Sequence, residues 1–90
     1  MDRALQLLAT WGATEVQAIT ITSRVDDALL EHIHESLLMA FNNPSNQQGF
    51  MGRKNNNSPF DGLTPLAYIE QHPERARQVA EHILSLGMPW

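Results

Sequence analysis

Ninety residues with 42% apolar side chains make one small globular domain, which on folding buries roughly 60–65% of the surface its unfolded chain exposes. The absence of cysteine excludes a disulfide framework and a thiolate metal site, and no apolar run approaches the ~18 residues that a bilayer span needs. A net charge of −4 with only six Lys and Arg is a poor match for phosphate backbones, so nucleic acid is not an expected partner.

The start, Met1-Asp2-Arg3, leads straight into an amphipathic pattern and lacks the shape of a signal peptide, so a soluble cytoplasmic protein is expected. In residues 2–11, Ala4, Leu7, Leu8 and Trp11 fall on one helical face, and Gly12 suits the C′ position that closes the helix. Thr14 and Gln17 have capping-box spacing and predict a second helix. It should be short, because Ile19 to Thr22 is an unbroken β-branched run.

Ser23 and Asp26 repeat the cap spacing and open the longest helix. Val25, Leu29, Ile33, Leu37 and Phe41 form an i+4 row along it, widened by Leu30, Leu38 and Met39. So wide an apolar face predicts either a central helix packed on more than one side or a dimer seam. Asn42-Asn43-Pro44 ends it, since the residue before proline avoids the α region. Ser45 and Gln48 predict one or two further turns, with Phe50 and Met51 dipping into the core. The adjacent cations Arg53 and Lys54 are expected in solvent.

Asn55, Asn56 and Asn57 favour irregular chain, and Asp61-Gly62 is a turn dipeptide. Thr64 caps and Pro65 begins a helix that should end near Gln71, before His72-Pro73. The last helix buries Ala76, Val79, Ala80, Ile83 and Leu84, carries Leu86 near its end and stops at Gly87. The apolar tail Met88-Pro89-Trp90 either folds back on the core or waits for a partner. The pattern predicts an all-α fold, a compact bundle of five to six short helices around one long central helix, with an Asn-rich loop.

No constellation suggests catalysis. His32 and His34 stand i, i+2, pointing about 200° apart on a helix, so they cannot share one ion. His72 and His82 are isolated, and there is no nucleophile elbow, phosphate-binding loop or zinc signature. Neither enzymatic activity nor a metal or cofactor is expected. The polar loop Asn55–Ser58, flanked by Phe60 and Tyr68, suits recognition better, because amides and hydroxyls supply polar contacts and aromatics supply area.

The run Asn57-Ser58-Pro59-Phe60-Asp61-Gly62-Leu63-Thr64-Pro65-Leu66 resembles the N-x-x-F-x-G-x-[ST]-P-L signature of the Xre/MbcA/ParS-type toxin-binding domain. Phe50 falls where that family carries an aromatic, and the first and last helices are similar to its outer helices. The resemblance implies a non-catalytic antitoxin of a type II toxin–antitoxin pair, often homodimeric, that covers the active site of a RES-type, NAD-consuming toxin. On that basis residues 1–22 correspond to a remnant of an N-terminal helical region, 23–87 to the toxin-binding core and 88–90 to a contact tail. Asn57, Pro59, Phe60, Gly62, Thr64, Pro65, Leu66, Tyr68, Met88 and Trp90 are the expected partner-binding residues. The chain departs from full-length members in having no room for a DNA-recognition helix between the second helix and the long one. An orphan dimeric interaction module and a small helix-turn-helix-derived transcriptional regulator are the alternatives.

Overall fold

Most of the helices begin where a side chain or a proline deals with the unpaired N–H groups of a first turn. The structure, a computed structural model, describes residues 2–87, apart from the side chains at positions 44 and 48. Helix α1 (Arg3–Thr10) starts behind Asp2, whose carboxylate accepts from the Ala4 N–H at 2.9 Å. Gly12 follows it with φ of 95°, a left-handed position that a side chain would resist. Helix α2 (Glu15–Thr22) starts behind Thr14, whose hydroxyl accepts from the Gln17 N–H at 3.1 Å. The Gln17 side chain does not complete the box. Its Nε2 donates instead to Glu70 Oε1 at 3.1 Å, which ties α2 to a later helix.

Helix α2 is short, at eight residues, but the β-branched run Ile19–Thr22 is helical and part of it. Ala18 and Ile21 are buried, and the Thr20 and Thr22 hydroxyls bond back to the carbonyls of Val16 and Ile19. Packing and local hydrogen bonds here outweigh a weak propensity. The start of the long helix is also corrected. Helix α3 is Asp27–Ala40, and its N-cap is Asp26, with no side-chain cap bond. Ser23 instead ends α2, its hydroxyl donating to Thr20 O at 2.7 Å. Helix α4 (Pro44–Gly52) is capped by Asn43, whose side chain accepts from the Ser45 N–H, so the expected Ser45 cap lies inside the helix. The Gln48 side chain of that expected pair lies outside the described residues.

Helix α5 (Pro65–Gln71) has Thr64 as its cap, accepting from the Ala67 N–H at 3.0 Å. After His72, a 3-10 turn (Pro73–Arg75) leads into α6 (Ala76–Leu86). The fold is all-α, with six α-helices and no strand among the described residues. The radius of gyration of 11.9 Å matches the roughly 12 Å of a folded chain of this length, so the helices share one compact body.

The core lies mainly between α3 and α6, with α1 and α5 closing it. Leu30, Ile33 and Leu37 of α3 and Val79, Ala80 and Ile83 of α6 are buried. So are Leu8 and Trp11 from the α1 end and Ile69 from α5. Each large aliphatic side chain among them contributes about 1.5–3 kcal/mol. The stripe on α3 is narrower than its sequence suggests. Leu29 and Phe41 are half-buried, and Leu38 and Met39 are exposed at 49% and 71%. On α6, Leu84 is half-buried and Leu86 faces solvent.

Gly87 does close α6, but not through left-handed backbone, since its φ is −93°. A Cβ on Gly87 would sit 2.7 Å from Ala40 Cα and 3.0 Å from the Met39 carbonyl oxygen. The glycine is there because the C-terminal ends of α3 and α6 meet at backbone distance. The substitution Gly87→Ala is expected to lower stability by about 1–3 kcal/mol, read from the denaturant midpoint.

A surface pair ties α1 to α3, with Arg3 Nε 2.8 Å from Glu31 Oε1. The hydrogen bond from Arg3 holds the Glu31 carboxyl below its ordinary 4.5. A depressed folded-state value contributes stability above the unfolded value and loses it as pH falls through the folded one. Glu31→Gln is therefore expected to be the less stable chain at neutral pH and to converge with wild type in denaturant melts once the pH drops below that range. The difference should be small, because both side chains are solvent-screened.

Candidate partner-binding site

Residues 55–63 are irregular yet closed by the backbone. The Asn55 N–H donates to the Leu63 carbonyl at 3.0 Å, and the Gly62 N–H donates to the Asn55 carbonyl at 2.7 Å. Within the loop, the Leu63 N–H donates to the Phe60 carbonyl at 3.0 Å across Asp61 and Gly62. Both of these have positive φ, 51° and 95°, as a type I′ reversal requires. Aspartate and glycine are among the few residues that accept it. Asn55 Oδ1 accepts from the Asn57 N–H at 2.9 Å, a local side-chain turn that orders the entry. The Ser58–Pro59 peptide is cis.

This geometry drives Phe60 inward. Its ring is fully buried and meets Phe50, Tyr68 and His82 edge-on, with centroids 6.0, 5.5 and 5.5 Å away. Pro65, Leu66 and Tyr68 are buried as well. The Tyr68 hydroxyl accepts from Arg75 Nη1 at 3.1 Å, and that bond pushes the guanidinium's already high pKa further up. Four of the expected partner-binding side chains, Phe60, Pro65, Leu66 and Tyr68, thus lie in the core and give a partner no surface. Phe60 and Tyr68 are expected to supply contact area because they flank a polar loop, whereas Pro65 and Leu66 enter only as residues of the matched motif. Here the turn reverses the chain and aims the Phe60 ring at the core.

Among the other expected contacts, Asn57 is exposed, and Pro59, Gly62 and Thr64 are half-buried. Thr64 already uses its hydroxyl as the α5 cap. The face that the segment shows to solvent is polar, made of Asn56, Asn57, Ser58 and Asp61. Met88 and Trp90 lie outside the described residues.

Two apolar surfaces are exposed, one on the wide α3 face that the sequence offers as a possible seam and one, between α1 and α2, that no sequence pattern singles out. At the junction of the α3 and α6 C-terminal ends, Leu38, Met39 and Leu86 are exposed. Between α1 and α2, a groove of about 330 Å³ is lined by Leu5, Ala9, Ala13, Thr14, Glu15, Ala18 and Ile19. Beside it Val16 and Ile19 are exposed at 74% and 55%. The available signal was that α2 carries apolar residues on every side, which a short surface helix does not need. Among the described residues no three histidine or acidic side chains are placed to hold a metal, and no helix is long and apolar enough to cross a membrane.

If the 57–66 segment is structural, its buried members should weigh most on folding. Phe60→Ala is expected to cost about 3–5 kcal/mol and Thr64→Ala about 1 kcal/mol, whereas exposed Asn57→Ala should stay within about 0.5 kcal/mol. Urea unfolding followed by circular dichroism checks the order. No family model, no curated protein and no solved structure matches the chain.

Proposed function

We propose that the chain is a non-catalytic antitoxin-like protein that binds and neutralises a cognate toxin of the RES-type, NAD-consuming class. The observation that carries this reading is that three large apolar side chains, Leu38, Met39 and Leu86, are each exposed near the place where the ends of α3 and α6 meet. Exposed apolar side chains near one another support an interaction surface where they form a continuous patch. The end of α6 leads directly into residues 88–90, the segment that the resemblance assigns to toxin contact. The motif itself supports the reading in another way. Its Phe, Gly, Thr, Pro and Leu each have a structural job, as anchor, turn, cap, helix start and core residue. In this reading the protein is a single cytoplasmic bundle arranged round α3, with residues 23–87 as the binding core and residues 1–22 as the remnant of an N-terminal region.

A specific observation favours a second reading, an orphan dimeric interaction module. The α1–α2 groove and the adjacent Val16 and Ile19 form an apolar face remote in sequence from the motif. Two copies related by a twofold axis would bury it symmetrically.

The test is affinity purification of the full chain from native cells, followed by an NAD+ consumption assay on whatever co-purifies, alone and with added chain. The proposal expects a bound protein that consumes NAD+ and is silenced by stoichiometric wild type. The double variant Leu38→Glu, Met39→Glu should fail to silence it while keeping its stability within about 0.5 kcal/mol per site, since both side chains face solvent. Recovery of the chain only with itself, or of a partner whose activity the chain leaves unchanged, would overturn the antitoxin reading.

A further inference from the structure

Where α4 passes into the loop, the surface holds a cleft of about 250 Å³ lined by Phe41, Asn46, Phe50, Arg53, Lys54 and Asn55. Its apolar wall is the pair Phe41 and Phe50, half-buried rings with centroids 5.5 Å apart and planes at 38°. Phe50 is backed by Phe60 of the core, 6.0 Å away and edge-on, so this wall is rigidly supported. Arg53 runs back along α4. A Cβ on Gly49 would stand 3.1 Å from its guanidinium carbon, so the bare glycine is what lets the cation lie there.

The polar groups of the cleft are biased toward donation. Neither Arg53 nor Lys54 forms an ion pair among the described residues, although the chain carries a net charge of −4. The Phe41 carbonyl is already taken by Gln47 Nε2 at 2.9 Å. The Asn55 carbonyl and Oδ1 each already accept, from the Gly62 and Asn57 N–H groups, so its side-chain N–H₂ is the group without a partner, while the Asn46 amide on the same wall can donate or accept. No carboxylate lines the cleft.

We propose that this cleft binds an aromatic carboxylate of one- or two-ring size. The ring packs against Phe41 and Phe50, and the carboxylate accepts from the Arg53 guanidinium, with Lys54 and the Asn55 amide beside it. The volume lies just under the roughly 300–1,000 Å³ of pockets for drug-sized ligands, which limits the occupant to a small one. A free aromatic acid and the C-terminal aromatic residue of a peptide share this chemistry. The site is independent of the antitoxin reading.

The experiment is a titration of the 15N-labelled full chain, following backbone amides and the Arg53 Nε–H. The probes are phenylacetate and indole-3-acetate, with benzyl alcohol and acetate as ringed and charged controls. A dipeptide, acetyl-Gly-Trp, is added with a free or an amidated C-terminus. The expected result is saturable shifts over residues 50–55 with Kd of about 1 mM for the aromatic acids. Binding should be weaker by at least about tenfold for benzyl alcohol, for acetate and for the double variant Arg53→Gln, Lys54→Gln. Both substituted side chains are exposed, so the variant should keep the wild-type circular dichroism. Tighter binding of the free acids identifies a small molecule as the source. Tighter binding of the dipeptide, lost on amidation, identifies a peptide terminus. Absence of saturation, equal affinity for benzyl alcohol, undiminished binding by the variant, or shifts confined to the α1–α2 groove would overturn the proposal.

Discussion

The fold depends on the enclosure of one ring. Phe60 sits where the loop and helices α4, α5 and α6 converge, and it touches Phe50, Tyr68 and His82 at centroid distances of 6.0, 5.5 and 5.5 Å. Those three neighbours come from α4, α5 and α6, so a residue with no helix of its own joins three helices. The aromatic series continues outward on both sides, from Phe50 to Phe41 at 5.5 Å and from Tyr68 to His72 at 5.1 Å. The edge-to-face aromatic pairs around Phe60 add about 0.5–1.5 kcal/mol each beyond the area they bury. In a chain of 90 residues, whose core is thin by geometry, such a junction adds to the α3–α6 core the helices that core does not itself hold.

The second constraint is close approach. Gly87 lets the end of α6 touch the backbone of Ala40, and Gly52 would bring a Cβ to 3.3 Å of the Trp11 carbonyl oxygen. Small residues at these two contacts let short helices pack with little wasted volume. The remaining links are polar and light. Gln17 to Glu70 joins α2 to α5, and Arg3 to Glu31 joins α1 to α3, both near the surface.

The parts of the fold legible in the sequence are those decided locally. Thr14, Thr64, Gly12 and Pro65 occupy the cap and turn positions that their chemistry implies, because a cap is settled within four residues. The all-α character follows from the same kind of evidence. What was not legible is decided by distant neighbours. Ser23 and Asp26 have ideal cap spacing, yet the chain spends Ser23 on finishing α2, and α3 begins one turn later. Leu38 and Met39 look like core residues until the partner helix shows which side of α3 is covered. Gly87 has the right position for the wrong reason, since only its contact with Ala40 explains it. The candidate site shows the same divide. Phe60 of the motif and Tyr68 beyond it stand out in sequence, but whether a conspicuous aromatic faces a partner or the core depends on how the chain turns around it. The width of the α3 face was visible in the sequence, but that Leu38 and Met39 stay uncovered, and that an apolar groove opens between α1 and α2, emerges only from packing.

The closed loop bears on the dynamics of the protein. A surface segment without helix ordinarily exchanges its amide protons freely, through local fluctuations that leave the rest of the molecule folded. Here the Asn55 and Gly62 N–H groups are bonded across the neck of the loop, and the ring between them is locked among three helices. Breaking the neck means withdrawing Phe60, and withdrawing Phe60 opens the core. Residues 55–63 are therefore expected to open as part of the same cooperative unit as the helices rather than ahead of it.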